Sequence, residues 1–158
     1  MDYQDAINTV IAELTPQPWD YTTDDGTTLT VIPLGIRHDP GCAEVNIRIT
    51  ASKTQAAEAA ITTTDLPALL AALSEPATEP WEHTAHWPDG TPKGGIGTWL
   101  GDSYGLTLAP ADGGLTLAVA EDTGDTIVTA SVALPEAQRL PLASALARAL
   151  DVARSWEG

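Results

Sequence analysis

The stretch from Thr126 to Trp156 constrains the fold most. Thr126–Leu134 reads as a strand, Pro135 and Pro141 bracket a bend, and an amphipathic helix follows to about Arg154. Leu142, Leu146, Ala149, Leu150 and Ala153 recur at helical spacing, with Ser144, Arg148 and Asp151 on the other side. Pro141 belongs in the first turn of that helix, where a missing backbone donor costs little. An earlier stretch is a rougher copy. Thr64 or Asp65 opens a helix with Pro67 in its first turn, and Leu66, Leu69, Leu70 and Leu73 share one stripe. A striped helix beside strands buries its stripe on a sheet. The expected class is therefore α+β, with antiparallel sheets built from two β-rich units, each closed by a helix. A further helix is expected at the N-terminus. The units are 27–75 and 96–156, joined by a proline-rich loop over 76–95 within a single domain, 1–158.

Period-two alternation is clearest in Glu44–Thr50, where Val45, Ile47 and Ile49 face one way and Glu44, Asn46, Arg48 and Thr50 the other. One wet face implies an antiparallel sheet covered on one side. The chain before it reads as a helix from Asp2 or Asp5 to about Leu14, then a turn-rich bridge over Trp19–Gly26 with Asp25-Gly26 as a hairpin signal. A strand over Thr27–Leu34 follows, and Pro33 ends it or puts it at an edge. A strand is expected over Ala56–Thr63. In the second unit, Ile96–Leu100, Tyr104–Ala109, Leu115–Glu121 and Thr126–Leu134 alternate with glycine-bearing turns, which is the pattern of an antiparallel meander.

Charge bounds the partners. The net charge of −15 opposes approach to nucleic-acid phosphates and anionic membranes. No window approaches the length of apolar run that spans a bilayer, and the N-terminus lacks the basic and apolar regions of a signal peptide. Cys42 is the sole cysteine, so no intrachain disulfide forms. These features point to the cytoplasm.

The chemistry-bearing candidates are few. Ser74–Gly95 holds Pro76, Pro80, Pro88 and Pro92, with Trp81, His83, His86 and Trp87 among them. Long ordered loops in compact domains are often functional, and tryptophan is enriched at binding hot spots. The four aromatic and imidazole side chains are the expected partner-binding residues, with both tryptophans exposed. The alternative is that the tryptophans plug the sheet edge. His83 and His86, near Glu82 and Asp89 and joined by His38, have the spacing of two metal ligands, but a zinc site needs three or four convergent groups. His38, Asp39 and Cys42 form a second such cluster around an ordinary Asp-Pro-Gly turn. Gly101-Asp102-Ser103 resembles the nucleophile block of one group of lipases and esterases, yet all three histidines precede Ser103, against that group's order. Gly90–Gly95 is only loosely a phosphate loop, because it feeds a strand and its lysine lies on the wrong side of the glycines. No catalytic residue, cofactor or metal is assigned.

The order helix, three strands, helix, three or four strands, helix, with small size and strong acidity, resembles the type III secretion chaperone-like fold. That resemblance implies a twisted antiparallel sheet flanked by helices, and often a homodimer. It covers the whole chain as layout, and no functional residues are carried over. The strand near Ile96 and the proline-rich loop depart from it. The expected function is a non-enzymatic, acidic protein-binding module, such as a chaperone, adaptor or immunity-type inhibitor, whose partner has a basic or apolar surface. A DNA mimic that occupies a nucleic-acid-binding protein is one alternative, and a hydrolase or metal-dependent enzyme is another.

Overall fold

A computed structural model describes residues 19–34, 37–91 and 103–158. The expected N-terminal helix, the strand at Ile96–Leu100, Gly101-Asp102 and the end of the Gly90–Gly95 run lie outside the described residues. Within them the strands form two four-stranded antiparallel sheets. The first is a meander of β1 (Trp19–Thr22), β2 (Thr28–Pro33), β3 (Glu44–Thr50) and β4 (Ala56–Thr62), followed by helix α1 (Leu66–Leu73). The second is a meander of β5 (Trp81–Glu82), β6 (Ser103–Ala111), β7 (Gly114–Asp122) and β8 (Ile127–Pro135). A 3₁₀ turn (Glu136–Gln138) then leads into helix α2 (Arg139–Ser155). The class is α+β.

β3 has the expected bounds, and Val45, Ile47 and Ile49 are buried as the alternation requires. β2 ends at Pro33, which pairs with Val45. Two short strands go beyond what the sequence pattern predicts. β1 occupies what reads as a bridge, because Trp19-Asp20-Tyr21-Thr22 is too polar to announce itself, yet it pairs along its whole length with β2. β5 forms inside the expected loop, where Trp81 pairs with Leu108 and Glu82 with Thr107.

Each sheet buries one face, and the two buried faces share one core. From the first come Leu29, Val31, Val45, Ile47, Ile49 and Ile61; from the second, Leu106, Leu108, Leu115, Leu117, Val119, Val132 and Leu134. β4 touches β6, β7 and β8 in turn, so it crosses them rather than running beside one. The Glu121 carboxylate reaches the edge of β4 and accepts the Glu58 backbone N–H at 3.1 Å. Where β7 begins, a side chain on Gly114 would sit 1.9 Å from the Leu134 carbonyl oxygen, so only glycine fits beside β8.

The helices depart from the expectation that each closes its own unit. The main contacts of α2 are with β2, β3 and α1, so the last helix covers the first sheet. Leu142 and Leu146 are each 1% exposed in that contact. Pro141 sits in the first turn of α2, as its missing donor requires. At the junction of the helices, Arg139 is buried. Its guanidinium donates to the Leu73 carbonyl at the end of α1 at 2.6 Å and to Glu136 at 2.7 Å. A cation at a helix C-terminus satisfies an orphan carbonyl and complements the dipole.

Candidate functional site

The Trp81–Thr91 segment is positioned from its base. β5 fixes its start, and the His83 backbone N–H continues the pairing by donating to Leu106 at 2.9 Å. Trp81 lies opposite Leu108 and packs against the core. The His83 ring stacks on Trp81, with centroids 6.5 Å apart and planes at 24°. The His83 side chain is only 7% exposed.

Asp65 is the anchor. It sits at the N-cap of α1 but makes no side-chain cap there. Its carboxylate, 4% exposed, turns instead to the loop. Oδ1 lies 2.8 Å from His86 Nδ1, and Oδ2 accepts the His86 backbone N–H at 2.9 Å. His83 Nε2 stands 3.5 Å from Oδ2, and the Thr62 hydroxyl donates to the same oxygen at 3.3 Å. A buried carboxylate is tolerable only when donors surround it, and here four groups converge. A second support comes from the 39–42 turn. Gly41 has φ +82°, and a side chain there would meet Thr64 Oγ1 at 2.7 Å and Pro88 at 3.0 Å. The Thr64 hydroxyl donates to the Gly41 carbonyl at 2.8 Å.

Above this base, residues 87–91 form a turn. Gly90 N–H donates to the Trp87 carbonyl and Trp87 N–H to the Thr91 carbonyl, both at 2.8 Å. Asp89 accepts from the Thr91 hydroxyl and backbone, which hold its carboxyl below the ordinary carboxylate range. Trp87 is 51% exposed and the His86 side chain 36%.

Of the four residues expected to meet a partner, Trp87 and the outer edge of His86 face solvent, whereas His83 is turned inward. The expectation that both tryptophans are exposed is corrected for Trp81, because strand pairing draws it onto the buried face. The histidines converge, but on Asp65, 18 and 21 residues away, which spacing could not reveal. Glu82 and Asp89 stay exposed and outside this cluster. His38 is drawn elsewhere, to the C-terminal residues: its N–H donates to the Trp156 carbonyl at 3.1 Å, and its carbonyl accepts from Gly158 at 2.9 Å. Glu157 completes that clasp by accepting from Ala43 N–H at 3.2 Å and from the Thr63 hydroxyl. Among the described residues, no group of three or more His, Cys, Asp or Glu side chains is arranged to hold a metal ion. Ser103 opens β6, paired with Glu121. No helix among the described residues is long and apolar enough to cross a membrane.

These features define an α+β domain of two crossed antiparallel sheets with an anchored tryptophan turn. No protein-family model matches the chain, and no curated protein does. Among solved structures, the plant transcriptional regulator PBF-2 superposes on 90% of this chain and 84% of its own, with a TM-score of 0.59 at 12% sequence identity. At that identity the likeness is one of fold.

Proposed function

We propose that this chain is a non-enzymatic protein-binding module of the cytoplasm, a chaperone, adaptor or immunity-type inhibitor, whose partner presents a basic surface around an apolar pocket. One observation carries this reading. Trp87 is half exposed on a turn whose base is tied to buried Asp65 through His86. An aromatic side chain held in place before binding loses little freedom when it docks, and tryptophan is among the commonest binding hot spots. The net charge of −15 supports the basic partner, since complementary fields speed encounter and exclude wrong partners. Regulation of transcription belongs to the structural neighbour; direct contact with phosphates is opposed here by charge.

The test is affinity capture from native lysate at moderate salt, comparing the wild-type chain with Trp87→Ala. A specific protein recovered by the wild type and lost with the variant, while the variant keeps its circular dichroism, supports the reading. Identical recoveries, or none, sink it.

A further inference from the structure

A second surface lies at the other end of the first sheet. Asp65 follows Thr62, at the end where β4 meets Glu44, whereas the β1–β2 turn lies beside Thr28 and Thr50. β3 separates the two ends by about 20 Å.

The second sheet finishes on β8, which pairs with β7 on one side and with no strand on the other among the described residues. Register tells which backbone groups face the open side. The β6–β7 turn is closed by the pair Ala111–Gly114, and hydrogen-bonded pairs then recur at every second residue. Thr116 and Ala118 therefore direct their backbone groups to β6, and Leu115, Leu117 and Val119 direct theirs to Leu134, Val132 and Ala130 of β8. The intervening Thr129, Ser131 and Ala133 point theirs outward. The Thr129 carbonyl bears this out, because it accepts the Gln55 side chain at 3.2 Å from outside the sheet. Ser131 and Ala133 have no backbone partner on that side among the described residues. An edge of this length, uncharged from Ile127 to Leu134, is what proteins usually blunt with charge, proline or a bulge.

The open edge is not flush with solvent. Residues 131–135 form one wall of a groove of about 620 Å³, and Tyr21 with the β1–β2 turn forms the other. Asp24, Asp25 and Asp112 stand at its mouth, and no basic residue lines it. We propose that this groove takes an extended basic segment of a partner protein as a further strand on β8. The segment's backbone pairs with Ser131 and Ala133, and its arginine or lysine side chains meet Asp24, Asp25 and Asp112. Strand addition of this kind draws affinity from main-chain bonds and selectivity from the flanking side chains. The Thr23 hydroxyl and the Thr27 amide hold the Asp25 carboxyl below its ordinary range, so that charge persists into more acid solution than an ordinary carboxylate's. A second copy of the chain is a poor occupant, because it brings another acidic mouth to the same edge. This surface goes beyond the reading above and does not use Trp87.

The experiment is a binding titration of the full chain with a short labelled peptide alternating arginine and valine, against the same peptide with glutamate for arginine. Saturable binding of the arginine peptide alone is expected. Ser131→Pro, which deletes an outward donor at an edge that tolerates proline, weakens it about tenfold. The double variant Asp24→Asn/Asp25→Asn weakens it by a smaller factor and flattens its salt dependence. No saturable binding, equal binding of the glutamate peptide, or an unaltered Ser131→Pro overturns the proposal. If Ser131→Pro fails to fold, amide exchange in the wild-type chain decides: peptide must slow exchange at Ser131 and Ala133, and no change there overturns it. A concentration-dependent dimer that protects the same amides also overturns it, by giving the edge to a second copy.

Discussion

The two halves of the chain share an element order, four antiparallel strands and then a helix, but they are finished differently. The first half ends in a helix of 8 residues whose last carbonyl, that of Leu73, accepts from Arg139, a residue of the second half. The second half ends in a helix of 17 residues that spends its apolar stripe on β2 and β3 of the first. Each half thus completes the other, and similarity of layout does not make them separable units. The crossing of β4 over β6, β7 and β8 has the same effect.

The largest test of this mutual dependence is Leu146→Ala. Leu146 is 1% exposed between the last helix and the first sheet, and a cavity there costs about 2–5 kcal/mol. Denaturant unfolding followed by fluorescence and by circular dichroism is expected to shift as one coincident transition. Two separated transitions would show that the halves stand alone. Arg139→Met comes next. It removes the charged donor from the buried Leu73 carbonyl and is expected to cost about 1.5–3 kcal/mol by the same measurement. A loss well below that would mean that α1 closes itself.

Asp65→Ala tests the anchor that joins α1 to the second sheet's first strand. It strips the acceptor from the His86 N–H and is expected to cost about 1–3 kcal/mol. Amide exchange at His86 should rise; if it does not, the tryptophan turn is held by something else. Glu157→Ala releases the clasp between the chain's last residues and Ala43 and Thr63, for about 1 kcal/mol.

The smallest effect concerns pH. Asp25 in the first half and Asp89 in the second both have carboxyls below the ordinary 3.8, through threonine hydroxyls in their own turns. A depressed folded-state pKa means that the unfolded chain binds more protons. The contribution is therefore complete above about pH 4 and lost as pH falls through the folded value. Melting temperatures between neutral and acid pH should fall slightly less steeply for Asp25→Asn or Asp89→Asn than for the wild type. A steeper acid limb in either variant reverses the sign and refutes the assignment.

The sequence carries most of the strands because alternation survives on a half-buried sheet. β3 falls on Glu44–Thr50, and β4, expected over Ala56–Thr63, ends at Thr62. It hides β1 and β5, whose few residues alternate too briefly to register; only pairing with a long neighbour makes them strands. Of the site, the cluster of tryptophans and histidines is legible as composition, but its geometry is not. Asp65 looks like a helix cap in sequence and becomes an anchor only because β5 delivers His83 and His86 to it. The acidic mouth beside β8 is hidden likewise, since Asp24 and Asp25 lie far from Asp112 in the chain and meet only across the two sheets.

Because α2 covers the first sheet, the order of synthesis and the order of burial are opposed. The apolar faces of β2 and β3 leave the ribosome about a hundred residues before α2 does, and until then they lack that cover. Contacts that span most of the chain slow folding and prolong exposure of sticky surface. Early release of the nascent chain before α2 would leave a sheet prone to aggregate rather than a smaller working domain.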